Sequence, residues 1–168
     1  MNELDEQLRE LIPRLRRFAV SLTRNSSSAD DLVQACLERA LSSWGGKRAD
    51  GDLRAWLFSI LYRQFLDAHR RSRRHARMLE FFTGRDDAEP STERTVIAQS
   101  TLQAFDRLPS EQRALLLMVS VEGLSYKEVA EILDTPIGTV MSRLSRARQA
   151  LRQLSDGEII SPSLRILK

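Results

Sequence analysis

Apolar residues recur every three or four positions along most of this chain, the spacing that gathers them on one face of an α-helix. Leu8, Leu11, Ile12, Leu15, Phe18, Ala19 and Leu22 form the first such stripe. The run Asn25-Ser26-Ser27-Ser28 interrupts it and supplies a cap. Ser28 and Asp31 have the spacing of a capping box, which would put Asp30 and Asp31 in a first turn whose N–H groups favour negative charge. A second helix through Leu32, Val33, Cys36, Leu37, Ala40 and Leu41 is expected to end at Gly45-Gly46. A third starts near Leu53, turns Trp56, Leu57, Ile60, Leu61 and Phe65 inward, and continues into an arginine-rich end. No segment alternates as a strand does, so the expected fold is all-α.

The period lapses from about Leu79 to Thr92, where Gly84, Asp86, Asp87, Glu89, Pro90 and Ser91 take over. That is the composition of a flexible, acidic linker. It divides the chain into an N-terminal domain over 1–78, a linker over 79–92, a C-terminal domain over 93–155 and a tail over 156–168, with the two domains expected to move nearly independently. In the second half, Ile97, Leu102, Phe105 and Leu108 precede a break at Pro109, and Ser110 is placed to cap a helix that Gly123 closes. Ser125 and Glu128 then form a capping box for a short helix containing Val129, Ala130, Ile132 and Leu133. Asp134 to Gly138 reads as a turn, with Pro136 the first residue of a last helix that runs to about Leu154 and buries Val140, Leu144, Ala147 and Leu151. A short capped helix, a tight turn and a second helix make a helix-turn-helix, whose second helix enters the major groove of DNA.

Composition changes the picture in two respects. The 168 residues are 42% hydrophobic but only 6% aromatic, so the core is aliphatic, and the formal net charge is a modest +3. The charge is unevenly spread: residues 1–78 carry 15 Lys/Arg against 10 Asp/Glu, residues 79–100 carry 2 against 5, and residues 101–168 carry 9 against 8. Only three of the 26 basic residues are lysine, and arginine's planar fork suits phosphate oxygens and guanine edges. The single Cys36 excludes an internal disulfide or a multi-cysteine zinc site. The N-terminus lacks the apolar core of a signal peptide and no apolar run approaches bilayer length, so a cytoplasmic protein without membrane insertion is expected. His69 and His75 both lie in the arginine run, and no metal-spaced or nucleophile–base set appears; neither a cofactor nor an enzyme activity is implied.

Two constellations carry chemistry. On the last helix the outward positions include Thr139, Ser142, Arg143 and Arg146, with Arg148 further round and able to reach at most the DNA backbone. A surface helix with solvated arginines is the plain alternative, but capping box, turn proline and basic outer face agree on DNA. The end of the third helix holds Arg63, Arg70, Arg71, Arg73, Arg74 and Arg77, a run that attracts phosphates through counterion release. Trp56, Phe58, Tyr62 and Phe65 precede it, and aromatic rings beside a basic helix offer stacking platforms for unpaired bases. Trp56 and Phe65 read as core; Phe58 and Tyr62 stay open between core and platform.

Taken together, ADDLVQACLERAL (29–41), LRAWLFSILYRQFLDAHRRSRR (53–74) and LPSEQRALLLMVSVEGLSYKEVAEIL with the helix that follows resemble the sigma factor superfamily of bacterial RNA polymerase. The short linker resembles its extracytoplasmic-function (ECF) group. The resemblance implies a sigma factor that binds core RNA polymerase and directs it to specific promoters. Asp30, Asp31, Leu32, Gln34 and Leu37 match the family's polymerase-docking surface. Arg63, Asp67, Arg70 and Arg71 fall in its minus-ten and promoter-opening segment, where Arg73 and Arg74 resemble backbone contacts; Arg63 stands where many relatives have Asn. Ser142, Arg143 and Arg146 match the minus-thirty-five readers, and Met141 stands where Lys or Arg is common. The implied partners are core polymerase, promoter DNA as duplex and as melted single strand, and an anti-sigma factor. Two rivals share parts of this pattern. A helix-turn-helix regulator would need an upstream ligand-binding or phosphoacceptor domain, and residues 1–78 show no βα alternation. A sigma-like decoy for an anti-sigma factor could dispense with Arg143 and Arg146, which this chain keeps.

Overall fold

The computed structural model describes residues 3–46, 51–83 and 100–156, and every regular element among them is helical. In the N-terminal half, α1 (Glu3–Thr23), α2 (Ser26–Ser42) and α3 (Leu53–Thr83) pack on one another. In the C-terminal half, α4 (Ser100–Asp106), α5 (Ser110–Leu116), α6 (Tyr126–Leu133) and α7 (Ile137–Ser155) follow, α5 running into a wider π-type turn, Leu117–Val121. Of the inward positions expected of α3, Leu57, Leu61 and Phe65 are buried and Trp56 and Ile60 half-buried, and Leu53, Phe58 and Tyr62 are buried with them. On α7, Val140, Leu144 and Ala147 are buried, with Leu151 half-buried beside them.

Several boundaries differ from the sequence expectation, each for a local reason. Arg24 takes a left-handed conformation (φ 54°) at the end of α1, which puts Asn25 rather than Ser28 at the start of α2. The Asn25 side chain accepts the Ser28 N–H at 2.9 Å. The expected Ser28–Asp31 box therefore does not form, and Asp30 and Asp31 lie beyond the first turn. Pro109 and Pro136 each sit in extended geometry just before a helix, their carbonyls accepting the first helical N–H groups. Ser110 thus makes no side-chain cap and Pro136 stands one residue ahead of its helix. The second capping box is complete: Ser125 N–H donates to Glu128 Oε2 at 2.7 Å and Glu128 N–H to Ser125 Oγ at 3.1 Å. Asp134 (φ 50°, ψ 49°) closes α6, and Gly123 (φ 65°) makes the preceding turn that a side chain would strain. α3 continues to Thr83, so the first five residues of the expected linker are helical. The rest of the expected linker, Ile97 and most of the tail lie outside the described residues.

The two halves do not stand apart. Buried residues from α1, α2 and α3 join those of α5, α6 and α7 in one apolar cluster, with α1 against α5 and α3 against α6. Two nearly inaccessible charged side chains, each 4% exposed, bind the seam. Arg113 of α5 donates from Nε to Ser21 O at 2.7 Å, from Nη2 to Leu22 O at 3.3 Å and from Nη1 to Leu108 O. Burial, with Arg24 nearby, pulls its pKa down to about 10 against the opposing pull of Asp106, so the guanidinium stays charged near neutrality. It faces the carbonyl end of α1, where the helix dipole favours a cation. Glu122, at the end of the π-type turn, is the other joint. Its Oε2 accepts Arg14 Nε at 2.7 Å from α1, and its carbonyl accepts Arg54 Nη1 at 2.7 Å from α3. These contacts are the physical reason the expected independence of the halves is not what the structure shows.

Cys36 is wholly buried and burial pushes its thiol pKa up to about 12, so it is a small core residue, not a nucleophile. Replacing Arg113 with Ala takes the side-chain donor from Ser21 O and Leu22 O in a buried seam and leaves Leu108 O with Arg24 Nη2 at 3.4 Å. It is expected to lower stability by about 2–4 kcal/mol in urea unfolding. A loss below about 0.5 kcal/mol, typical of a surface change, would mean that the seam opens freely.

Candidate polymerase and nucleic-acid interfaces

The expected docking residues lie along the outer side of α2. Asp30, Asp31 and Gln34 are exposed, and Leu32 and Leu37 are half-buried. Asp30 Oδ1 accepts Arg16 Nε at 2.7 Å, an exposed pair that ties α2 to α1, and Gln34 donates to Glu38 at 3.0 Å. Between the two helices runs a shallow groove whose apolar lining is Ile12, Val33, Leu37 and Leu41, with Arg16 and Asp30 on its rim. Ile12 and Leu41 are 37% and 69% exposed. Both belong to apolar stripes that read as core, so the sequence conceals that α1 contributes to this face. The signal available was width: each stripe holds more apolar residues than one buried face needs.

The basic end of α3 projects into solvent. Arg63, Asp67, Arg70, Arg71, Arg73 and Arg74 are all exposed, as is every residue from Asp67 to Leu79. At about 100° per residue, Arg63, Asp67, Arg70 and Arg74 share one face, with Arg71 and Arg73 on its flanks. The aromatic rings beside them are not open platforms. Phe58 and Tyr62 are 0% and 3% exposed, Phe65 is buried, and Trp56 is half-buried against Trp44 with ring centroids 5.9 Å apart. Phe58 packs on Phe18 at 5.0 Å, and Phe65 stacks on the exposed His69 at 5.9 Å. The core assignment thus holds for Phe65 and extends to Phe58 and Tyr62.

On α7, Ser142, Arg143 and Arg146 are exposed and Thr139 is half-buried. Ser142 Oγ donates to Thr139 O at 3.1 Å, which leaves its lone pairs as acceptors toward solvent. Arg143 lies on the flank nearer the other half. Together with Glu111 of α5 it acts on the ionisation of Tyr62, whose hydroxyl pKa burial raises to about 12. The 19 residues of α7 include Arg143, Arg146, Arg148 and Arg152 and no acidic side chain. No group of three or more potential metal ligands converges among the described residues, and no helix among them is long and apolar enough to cross a membrane.

Comparison with known proteins agrees with this layout. Residues 98–151 match the family model described as Sigma-70, region 4, and residues 8–62 match the Sigma2 domain of PhyR. The second match stops at Tyr62, short of the basic end of α3. The ECF RNA polymerase sigma factor EcfG of Rhodopseudomonas palustris is 35% identical over 163 residues, an alignment covering 91% of this chain and 85% of that protein. SigM of Mycobacterium tuberculosis, also an ECF RNA polymerase sigma factor, is 33% identical over 153 residues, 89% of this chain and 76% of its own. The sigma factor RpoE of Bartonella quintana, solved with the anti-sigma factor NepR, superposes with a TM-score of 0.72 at 30% identity, covering 94% of this chain and 99% of that one. With helices, order and spacing shared over nearly its whole length, this chain belongs to the ECF RNA polymerase sigma factors.

Proposed function

We propose that this sigma factor docks on core RNA polymerase through the outer side of α2 and the groove it forms with α1, engages promoter DNA near minus ten with the basic end of α3, and reads the minus-thirty-five element with α7. The observation that carries the proposal is the charge of α7. Its 19 residues hold four arginines and no acid, on a helix-turn-helix scaffold whose groove-facing side is uncovered. Such a surface repels acidic partners and suits a polyanion. Ser142, Arg143 and Arg146 are exposed and available for base reading. With Phe58, Tyr62 and Phe65 buried, α3 acts on the phosphates through arginines, with His69 and His75 as exposed rings beside them. The two promoter elements lie roughly 25 base pairs apart, ~85 Å at about 3.4 Å per step. Serving both at once requires the halves to part at the seam held by Arg113 and Glu122. An anti-sigma factor, by analogy with the NepR complex of the Bartonella relative, would compete for these same surfaces.

A sigma-like decoy is the second possibility, favoured by the match of residues 8–62 to the Sigma2 domain of PhyR. The basic recognition helix argues against it, since a decoy has no use for an exposed arginine arc.

Replacing Asp31 with Arg should abolish co-purification with core polymerase while helical content, read by circular dichroism, stays unchanged. Undiminished co-purification would remove Asp31 from the docking surface. Binding of the holoenzyme to a promoter library at two salt concentrations separates the two DNA contacts. Arg146→Ala should cost roughly 1–3 kcal/mol and relax selection at one base pair of the upstream element. Arg73→Ala should weaken all promoters alike and lower the salt slope by about one. A uniform loss for Arg146→Ala with unchanged base preference would make it a phosphate clamp and shift readout to Ser142 and Arg143.

A further inference from the structure

Met141 and Ile137 lie one turn apart on α7 and are 52% and 49% exposed, although the inner face of the helix is already filled by Val140, Leu144 and Ala147. Scattered exposed apolar residues are ordinary; the surroundings of this pair are not. The neighbours of Met141 at i−3 and i+4 are Gly138 and Ser145, both exposed, and space is open around a Cβ placed on Gly138. Gly138, Ser142 and Ser145 are small. Before Arg146 the one longer exposed side chain is Arg143, about 160° round the helix at about 100° per residue, so Met141 is the longest on its own side. It sits in the N-terminal half of the helix, the part that meets base edges in a helix-turn-helix.

From this geometry we infer that Met141 selects thymine in the upstream duplex element by covering its C5 methyl group, with Ile137 as its apolar flank. The inference rests on the assignment of α7 to the major groove. The occupant follows from chemistry on both sides. The all-basic helix fits a polyanion, and the apolar feature of the major-groove edge is the thymine methyl. A thioether offers no N–H or O–H donor, so over guanine, adenine or cytosine it would displace water from polar edge atoms without replacing the hydrogen bonds.

The test uses the native chain with core polymerase and the best duplex recovered from a randomised promoter library. Each thymine of the upstream element is replaced singly by deoxyuridine, which removes the methyl group and keeps the pairing edge. At one or two adjacent positions deoxyuridine should weaken holoenzyme binding about fourfold, the size of one methyl-sized group losing its cover. With Met141→Ala, which keeps a good helix former at an exposed position, thymine and deoxyuridine should bind equally there. With Met141→Arg, preference should move from thymine to guanine. Absence of thymine enrichment in the recovered duplexes, or tolerance of deoxyuridine at every position while Arg146→Ala still alters base preference, would overturn the role of Met141 alone. No change in upstream base preference for Met141→Ala, Met141→Arg or Arg146→Ala would instead overturn the placement of α7 in the groove.

Discussion

The end of α1 leaves carbonyl oxygens that its own helix cannot satisfy, and Arg113 brings the donors from the other half of the chain. Around that buried guanidinium the orientation of α5 is set, and through α5 the helix-turn-helix above it. Glu122 repeats the device at the far end of the π-type turn, where the extra residue per turn carries its carboxylate and carbonyl to Arg14 and Arg54. Arginine suits both joints because one planar fork can serve several carbonyls, and a lysine could not span Ser21, Leu22 and Leu108 at once. The apolar cluster alone would hold the halves together without fixing their angle. Directional bonds in a largely buried seam do fix it.

Function follows from how charge is sorted about this seam. Buried polar groups join the halves, while the arginines that suit DNA point away along α3 and the outer arc of α7. Arg143 is exposed as well, on a flank of α7 from which its charge reaches Tyr62. The α2 face is of a third kind, an exposed acidic edge over an apolar groove, suited to a protein partner. The three surfaces are thus chemically distinct, which suits the proposed division among duplex, melted strand and polymerase.

Much of this was legible in the sequence, for reasons that particular residues show. Helical periodicity is a local property, so α3 and α7 were placed with their buried faces correct. The Ser125–Glu128 box closes within one turn and formed as expected. Caps that compete within a serine run were less legible: Asn25 won over Ser28 because Arg24 turned left-handed first, a backbone choice no side-chain pattern announces. Proline was misplaced by one residue at Pro136 because it sits equally well just before a helix or at its start. The seam was illegible. Arg113 and Glu122 look like any solvated charges, and pairing across 92 or 108 residues leaves no periodic trace. The open or buried state of Phe58 and Tyr62 depended on the same long-range packing.

As an ECF sigma factor, this chain is to give core RNA polymerase its choice of start site. Run-off transcription tests it most directly, with purified core polymerase from the same bacterium, genomic fragments as templates, and the chain present or absent. Discrete transcripts that appear only with the chain, each starting downstream of a shared pair of upstream elements, are the predicted result. Unchanged transcripts, with the chain neither bound to core nor protecting promoter DNA in its presence, would contradict the account.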